Sequence, residues 1–273
     1  MGEYFIIISW RANMKTITFG SLKGGVTKTT TALLTAYCLA KCGKRVCFID
    51  GDINNSSTWT LSPENKSELD PQNRRHIASA LQGENLLDYI IPSNTENIDL
   101  IPSSLYLVDL RTINQNRFKN LIRTNGELQK RYDFLIIDTA PTYDNITMMF
   151  YEASDLIITP SLLSQFDYNT ALFLNNKLQT ETNVFANWKL LFVGWNKRYE
   201  EKQIGGQTDY QNLFQSTFSN ILSTRIPWTT AAKNRIDRQE LIGFSKKSAT
   251  LRSAVISLCE EISGEELLCE EAF

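Results

Sequence analysis

At 273 residues, with 42% hydrophobic and 21% charged side chains, the chain has a globular composition and can bury a full core, as one large α/β domain or two small ones. A formal net charge of −2 excludes a global basic field for nucleic acid, and no apolar run approaches the ~20 residues of a membrane span. A single histidine, His76, excludes a His-based zinc site or a Ser-His-Asp triad elsewhere, and five cysteines (Cys38, Cys42, Cys47, Cys259, Cys269) without C-x-x-C spacing read as reduced cytoplasmic thiols.

Residues 1–13 hold an apolar stretch too short for a signal-peptide core and without a basic leader. They read as an N-terminal extension, either an upstream start before Met14 or a short hydrophobic arm that docks on a partner. Lys15–Ser21 is the first expected strand. Lys23-Gly24-Gly25-Val26-Thr27-Lys28-Thr29-Thr30 follows and opens a helix-like run, Thr31–Ala40, with Gly43 suited to its left-handed C-cap. Lys44–Asp50 has the continuous apolar centre of a buried parallel strand and ends in Asp50-Gly51-Asp52.

Residues 60–96 are polar, with one amphipathic patch, Ile77–Ile91, and read as loop plus a short helix. A short strand over Asn97–Pro102 comes next, then a helix-like segment through Gln129. Arg111, Arg117, Lys119, Arg123, Lys130 and Arg131 lie in and just after it and read as a solvated face or a docking surface for an acidic partner or DNA. Tyr132–Pro141 is the clearest strand, four apolar residues and then Asp138. Asp155–Pro160 predicts another strand, Phe166–Gln179 a helix, and Trp188–Trp195 and Ile221–Pro227 the last two strands.

The C-terminal part splits by sign. Lys233, Arg235, Arg238, Lys246, Lys247 and Arg252 cluster against Asp237 and Glu240, and six glutamates between Glu260 and Glu271 make an acidic tail. Such a basic cluster is either a set of ordinary helix faces or a patch that holds duplex DNA through its phosphates without reading sequence.

Strand, glycine loop and helix in that order form the context of a phosphate-binding loop. The glycines let backbone N–H groups turn inward, and the helix N-terminus adds partial positive charge. Lys28 would then reach the β- and γ-phosphates and the Thr29 hydroxyl would ligate Mg²⁺. The strict pattern G-x-x-x-x-G-K-[ST] is not met, because Leu22 and Thr27 stand at its two glycines. At negative φ the Thr27 N–H still faces a phosphate; at positive φ a β-branched residue is strained. Asp50 and Asp52, at the end of the second strand, lie where open parallel sheets bind ligands.

The second lysine, Lys23, before the glycine pair resembles the deviant Walker A motif, K-G-G-x-G-K-[ST], of the ParA/MinD/Soj ATPases. Asp50-Gly51-Asp52 resembles that family's D-x-D, although Ile53-Asn54-Asn55 replaces its usual Pro-Gln-Gly. Asp138-Thr139-Ala140-Pro141 resembles its Walker B ending. The resemblance covers roughly Met14 to Leu258 and implies ATP and Mg²⁺ as ligands. By it, Asp52 positions the attacking water, Asp138 holds Mg²⁺, Asp50 supports the metal shell or the loop, and Asn196 and Pro227 lie near the adenine. Thr142, Tyr143 and Asp144 are candidate switch residues. It also implies that Lys23 reaches across an ATP-bound sandwich homodimer, that the dimer binds DNA non-specifically, and that a ParB-like partner stimulates hydrolysis.

The expected architecture is therefore a single α/β P-loop NTPase domain over 14–258, a mostly parallel twisted sheet flanked by helices. Residues 1–13 are an extension and 259–273 an acidic tail. The expected function is a slow DNA-partition ATPase in the cytoplasm, associated with the nucleoid. The alternatives are a MinD/MipZ-like positioning switch and a metabolic P-loop enzyme.

Overall fold

The computed structural model describes residues 14–62, 75–110, 112–195, 207–227 and 249–267. Eight strands form one sheet in the order β3-β4-β2-β5-β1-β6-β7-β8. They are β1 (Lys15–Phe19), β2 (Val46–Gly51), β3 (Ile91–Pro92), β4 (Ile98–Ile101), β5 (Phe134–Thr139), β6 (Leu156–Ser161), β7 (Trp188–Trp195) and β8 (Ile221–Pro227). All neighbours pair parallel except β3 with β4. The single α/β domain with a mostly parallel sheet is thus the expected one.

Helices cover both faces, because residues alternate across each strand. Ile17, Phe19, Phe48 and Ile136 point to one face, where α1 (Lys28–Lys41) packs beside the C-terminal helix α9 (Ala249–Ser263). Cys47, Ile49, Leu135 and Ile137 point to the other, against α3 (Ile77–Gln82), α4 (Arg117–Arg123), α5 (Gly126–Arg131) and α6 (Asn145–Glu152). Trp188, Leu190 and Phe192 continue that second face under α7 (Gln165–Glu181) and α8 (Gln207–Thr217). The remaining helix, α2 (Ser56–Leu61), follows the Asp50–Asp52 turn.

Strands β7 and β8 have the expected bounds. The expected helix through Gln129 is instead a 3₁₀ stretch (Leu105–Leu110) followed by the short helices α4 and α5. Two of its cations are tied down: the Arg117 guanidinium donates to the carbonyls of Leu81 and Gly83, and Arg131 pairs with Asp99 at 2.9 Å. Cys38, Cys47 and Cys259 are buried free thiols, but Cys42 is disulfide-bonded, which corrects the reading of all five as reduced.

Helix α9 runs without a break across the 258/259 boundary expected for the acidic tail. Its apolar stripe, Leu251, Val255, Leu258 and Ile262, is buried in the core. Its Glu261 accepts the N–H groups of Ser223 and Thr224 on β8 at 2.6 and 2.9 Å. Among the described residues no helix is long and apolar enough to cross a membrane.

Candidate nucleotide site

The central strands set up the site. Asp50 of β2 and Asp138 of β5 stand opposite each other in register, and Phe19 of β1 stands opposite Asp138 on the other side. The strand order reverses at β1, so the carboxyl ends of β2, β5 and β1 open onto the crevice where α/β sheets hold ligands. Close packing fixes those ends. A Cβ on Gly51 would lie 2.8 Å from Phe150 and 3.0 Å from the Asp138 carbonyl, and one on Gly20 would lie 2.0 Å from the Tyr151 hydroxyl. Phe150 and Tyr151 both come from α6, which thereby clamps the turns after β1 and β2.

Residues 20–27 connect β1 to α1. The 14-residue helix α1 has no side-chain cap at its N-terminus and no acid in its first turn. Its leading N–H groups therefore lack intrahelical partners and face the loop with the positive end of the helix dipole. Lys28, the first helical residue, is buried at 7% exposure, and its Nζ lies 2.5 Å from Asp138 Oδ1. The other oxygen of Asp138 accepts the Ser57 hydroxyl at 2.9 Å.

The turn after β2 is laced by its own carboxylates. Asp50 accepts the Thr58 N–H at 2.7 Å, the Thr58 hydroxyl at 2.8 Å and the Asp52 N–H at 3.1 Å. Burial, and then the charge of Asp138, push the Asp50 carboxyl up to about 7 against those bonds. These bonds tie the Asp50 carboxylate to the turn after β2 and to the start of α2. Asp52 Oδ1 accepts the Asn54 N–H and amide, while Oδ2 makes no hydrogen bond among the described residues.

Lys23 is held within its own chain. Its Nζ lies 2.6 Å from Asp167 Oδ2 at the start of α7, where Asp167 is buried and also takes the Ser164 hydroxyl. Sequence reading missed Asp167, Ser57 and Thr58. Ser164-x-x-Asp167 carries the signature of a helix start, yet nothing in it points to a lysine 144 residues away.

Thr27 adopts φ 59°, ψ 22°, the left-handed conformation of a glycine. The backbone path of the loop is kept at a cost of about 1–2 kcal/mol. Its Oγ1 is buried and unpartnered among the described residues, as is Oδ1 of Asn55, at φ 56° before α2. Asp144 proves to be the N-cap of α6, accepting the Thr147 N–H at 2.9 Å. Pro227 ends β8, opposite Trp195. Asn196 and the basic residues Lys233, Arg235, Arg238, Lys246 and Lys247 lie outside the described residues; Arg252, on α9, is half-buried.

The donor set fits a nucleotide and Mg²⁺: an uncapped helix N-terminus, two lysines, the Thr29 hydroxyl, Asp138 and an orphaned buried hydroxyl. Among the described residues no three His, Cys, Asp or Glu side chains gather as a metal nest. Mg²⁺ bound through one or two protein oxygens, phosphate and water needs none.

The AAA domain family matches residues 14–186. Soj, the sporulation initiation inhibitor protein of Bacillus subtilis (strain 168), is 32% identical over 152 residues, covering 54% of this chain and 57% of its own. A ParA family protein of Chlamydia trachomatis is 34% identical over 139 residues, covering 47% of this chain and 51% of its own. The chain thus spans about half the length of the curated relatives it matches. A Borrelia burgdorferi B31 protein assigned to plasmid partition, solved with AMPPNP, superposes with a TM-score of 0.75 at 22% identity, covering 92% of this chain and 99% of its own. The fold match and the ordered motifs agree: the chain belongs to the AAA domain family, in its ParA/Soj-type branch.

Proposed function

We propose that this protein is an ATP-dependent DNA-partition ATPase that works as a nucleotide-gated homodimer. The observation that carries the reading is the convergence of the uncapped α1 N-terminus, the buried Lys28–Asp138 pair and the rim lysine Lys23 on one crevice. Lys28 neutralises the β- and γ-phosphates, and Thr29 and Asp138 hold Mg²⁺. Asp52 orients the attacking water through a hydrogen bond. Lys23 leaves Asp167 and stabilises charge on the partner's nucleotide, as an arginine finger does.

Dimerisation doubles any basic surface, so the ATP state is the DNA-binding state. The candidate DNA residues, Lys233, Arg235, Arg238, Lys246, Lys247 and Arg252, are proposed on the sequence cluster and the family alone. So are the nucleoid location, the ParB-like partner and the adenine contacts of Asn196 and Pro227.

The test is sizing of the Asp52→Ala protein with ATP and Mg²⁺, then with non-specific duplex DNA. The expected result is an ATP-dependent dimer that co-elutes with DNA and releases it at high salt, and a Lys23→Ala protein that stays monomeric under the same conditions. A dimer that ignores DNA moves the function to a positioning switch. Absence of any dimer, with ATP turnover only in the presence of a small substrate, makes it a metabolic enzyme.

A further inference from the structure

Thr27 carries two penalties that glycine would avoid. It is a β-branched residue at φ 59°, and its Oγ1 is buried without a partner among the described residues. Asn55 repeats the backbone geometry, but asparagine enters the left-handed region readily, so its conformation says less. At Thr27 the strain has no such excuse.

The hydroxyl is not used locally either. A threonine at a helix N-cap ordinarily sits in extended backbone and accepts an N–H from the first turn. Here the left-handed conformation removes that option, and no side-chain cap bond forms. Only the Thr27 carbonyl serves the helix, accepting the Thr31 N–H and hydroxyl, both at 2.8 Å. The side-chain oxygen is left buried without a partner among the described residues, on the residue before Lys28.

We infer that the Thr27 hydroxyl donates a hydrogen bond to a phosphate oxygen of the bound nucleotide. Glycine at this position supplies a backbone N–H and nothing more, so Thr27 adds one donor to the cradle. This inference rests on the nucleotide-binding reading above. A hydrogen bond to a charged oxygen is among the stronger single contacts, which makes Thr27 a determinant of nucleotide affinity.

The experiment is titration calorimetry of AMPPNP and ADP with Mg²⁺ on the parent chain and on Thr27→Val, Thr27→Ser and Thr27→Gly. Valine keeps the β-branch and deletes the hydroxyl, and should weaken binding about tenfold or more. Serine keeps the hydroxyl and should bind within about threefold of the parent. Glycine should bind as weakly as valine, yet raise the melting temperature of the nucleotide-free protein by about 2–4 °C as the strain leaves. If valine fails to fold, serine against glycine gives the same comparison. Equal affinity with and without the hydroxyl, in a parent that binds AMPPNP, overturns the Thr27 role and leaves the site intact. A parent that binds no nucleotide overturns both readings.

Discussion

The Lys28→Ala protein should lose ATP binding altogether and, without nucleotide, unfold roughly 10 °C below the parent. The second effect follows from the ion pair. Lys28 and Asp138 meet at 2.5 Å with side chains 7% and 1% exposed. Removing the cation leaves a carboxylate buried with one serine hydroxyl as its remaining partner, which costs about 3–5 kcal/mol. At about 2–4 °C per kcal/mol for a domain of this size, that predicts the shift in melting temperature. A Lys28→Met/Asp138→Asn double variant removes both charges and should recover most of the stability while binding remains lost. Thermal unfolding and calorimetry on the three proteins check this. Retained ATP affinity in Lys28→Ala would refute the phosphate-binding role, and an unchanged melting temperature would refute the buried pair.

The second large effect concerns pH. Burial and the charge of Asp138 push the Asp50 carboxyl from an ordinary 3.8 up to about 7. Between those values the folded chain holds a proton that the unfolded chain has released. Stability from this group is therefore full below the unfolded pKa and is lost as pH rises through the folded one. The loss builds up between about pH 4 and pH 7 and totals at most about 4 kcal/mol. Asp50→Asn cannot ionise. Its stability relative to the parent should climb as pH goes from 5 to 8, whatever its offset at pH 5. Urea unfolding of both nucleotide-free proteins at several pH values measures the difference. A difference that stays flat would mean that Asp50 titrates as an ordinary carboxylate.

Much of the architecture was legible because buried parallel strands are apolar throughout and end at charged residues. Phe134–Thr139 and Val46–Gly51 are of that kind. Lys28, Asp50, Asp52 and Asp138 were legible because a phosphate loop and strand-end carboxylates leave local marks. Helix α6 was not: Ile146-Thr147-Met148-Met149-Phe150-Tyr151 is a short run, buried throughout, and short apolar runs read equally as strand or helix. Helix α2, six residues rich in Ser and Thr, reads as a loop. Its Ser57 and Thr58 matter only because the turn folds them onto Asp138 and Asp50. The sequence placed Thr27 at a glycine position but left the sign of its φ open; the structure shows it positive.

The two margins of the sheet bear on how copies of this chain can associate. On one side the outermost strand, β3, is two residues long and includes Pro92, which has no N–H to offer. On the other, the Glu261 carboxylate already occupies two N–H groups of β8. Among the described residues, the short β3 and the two occupied N–H groups of β8 reduce what either margin offers to a further strand.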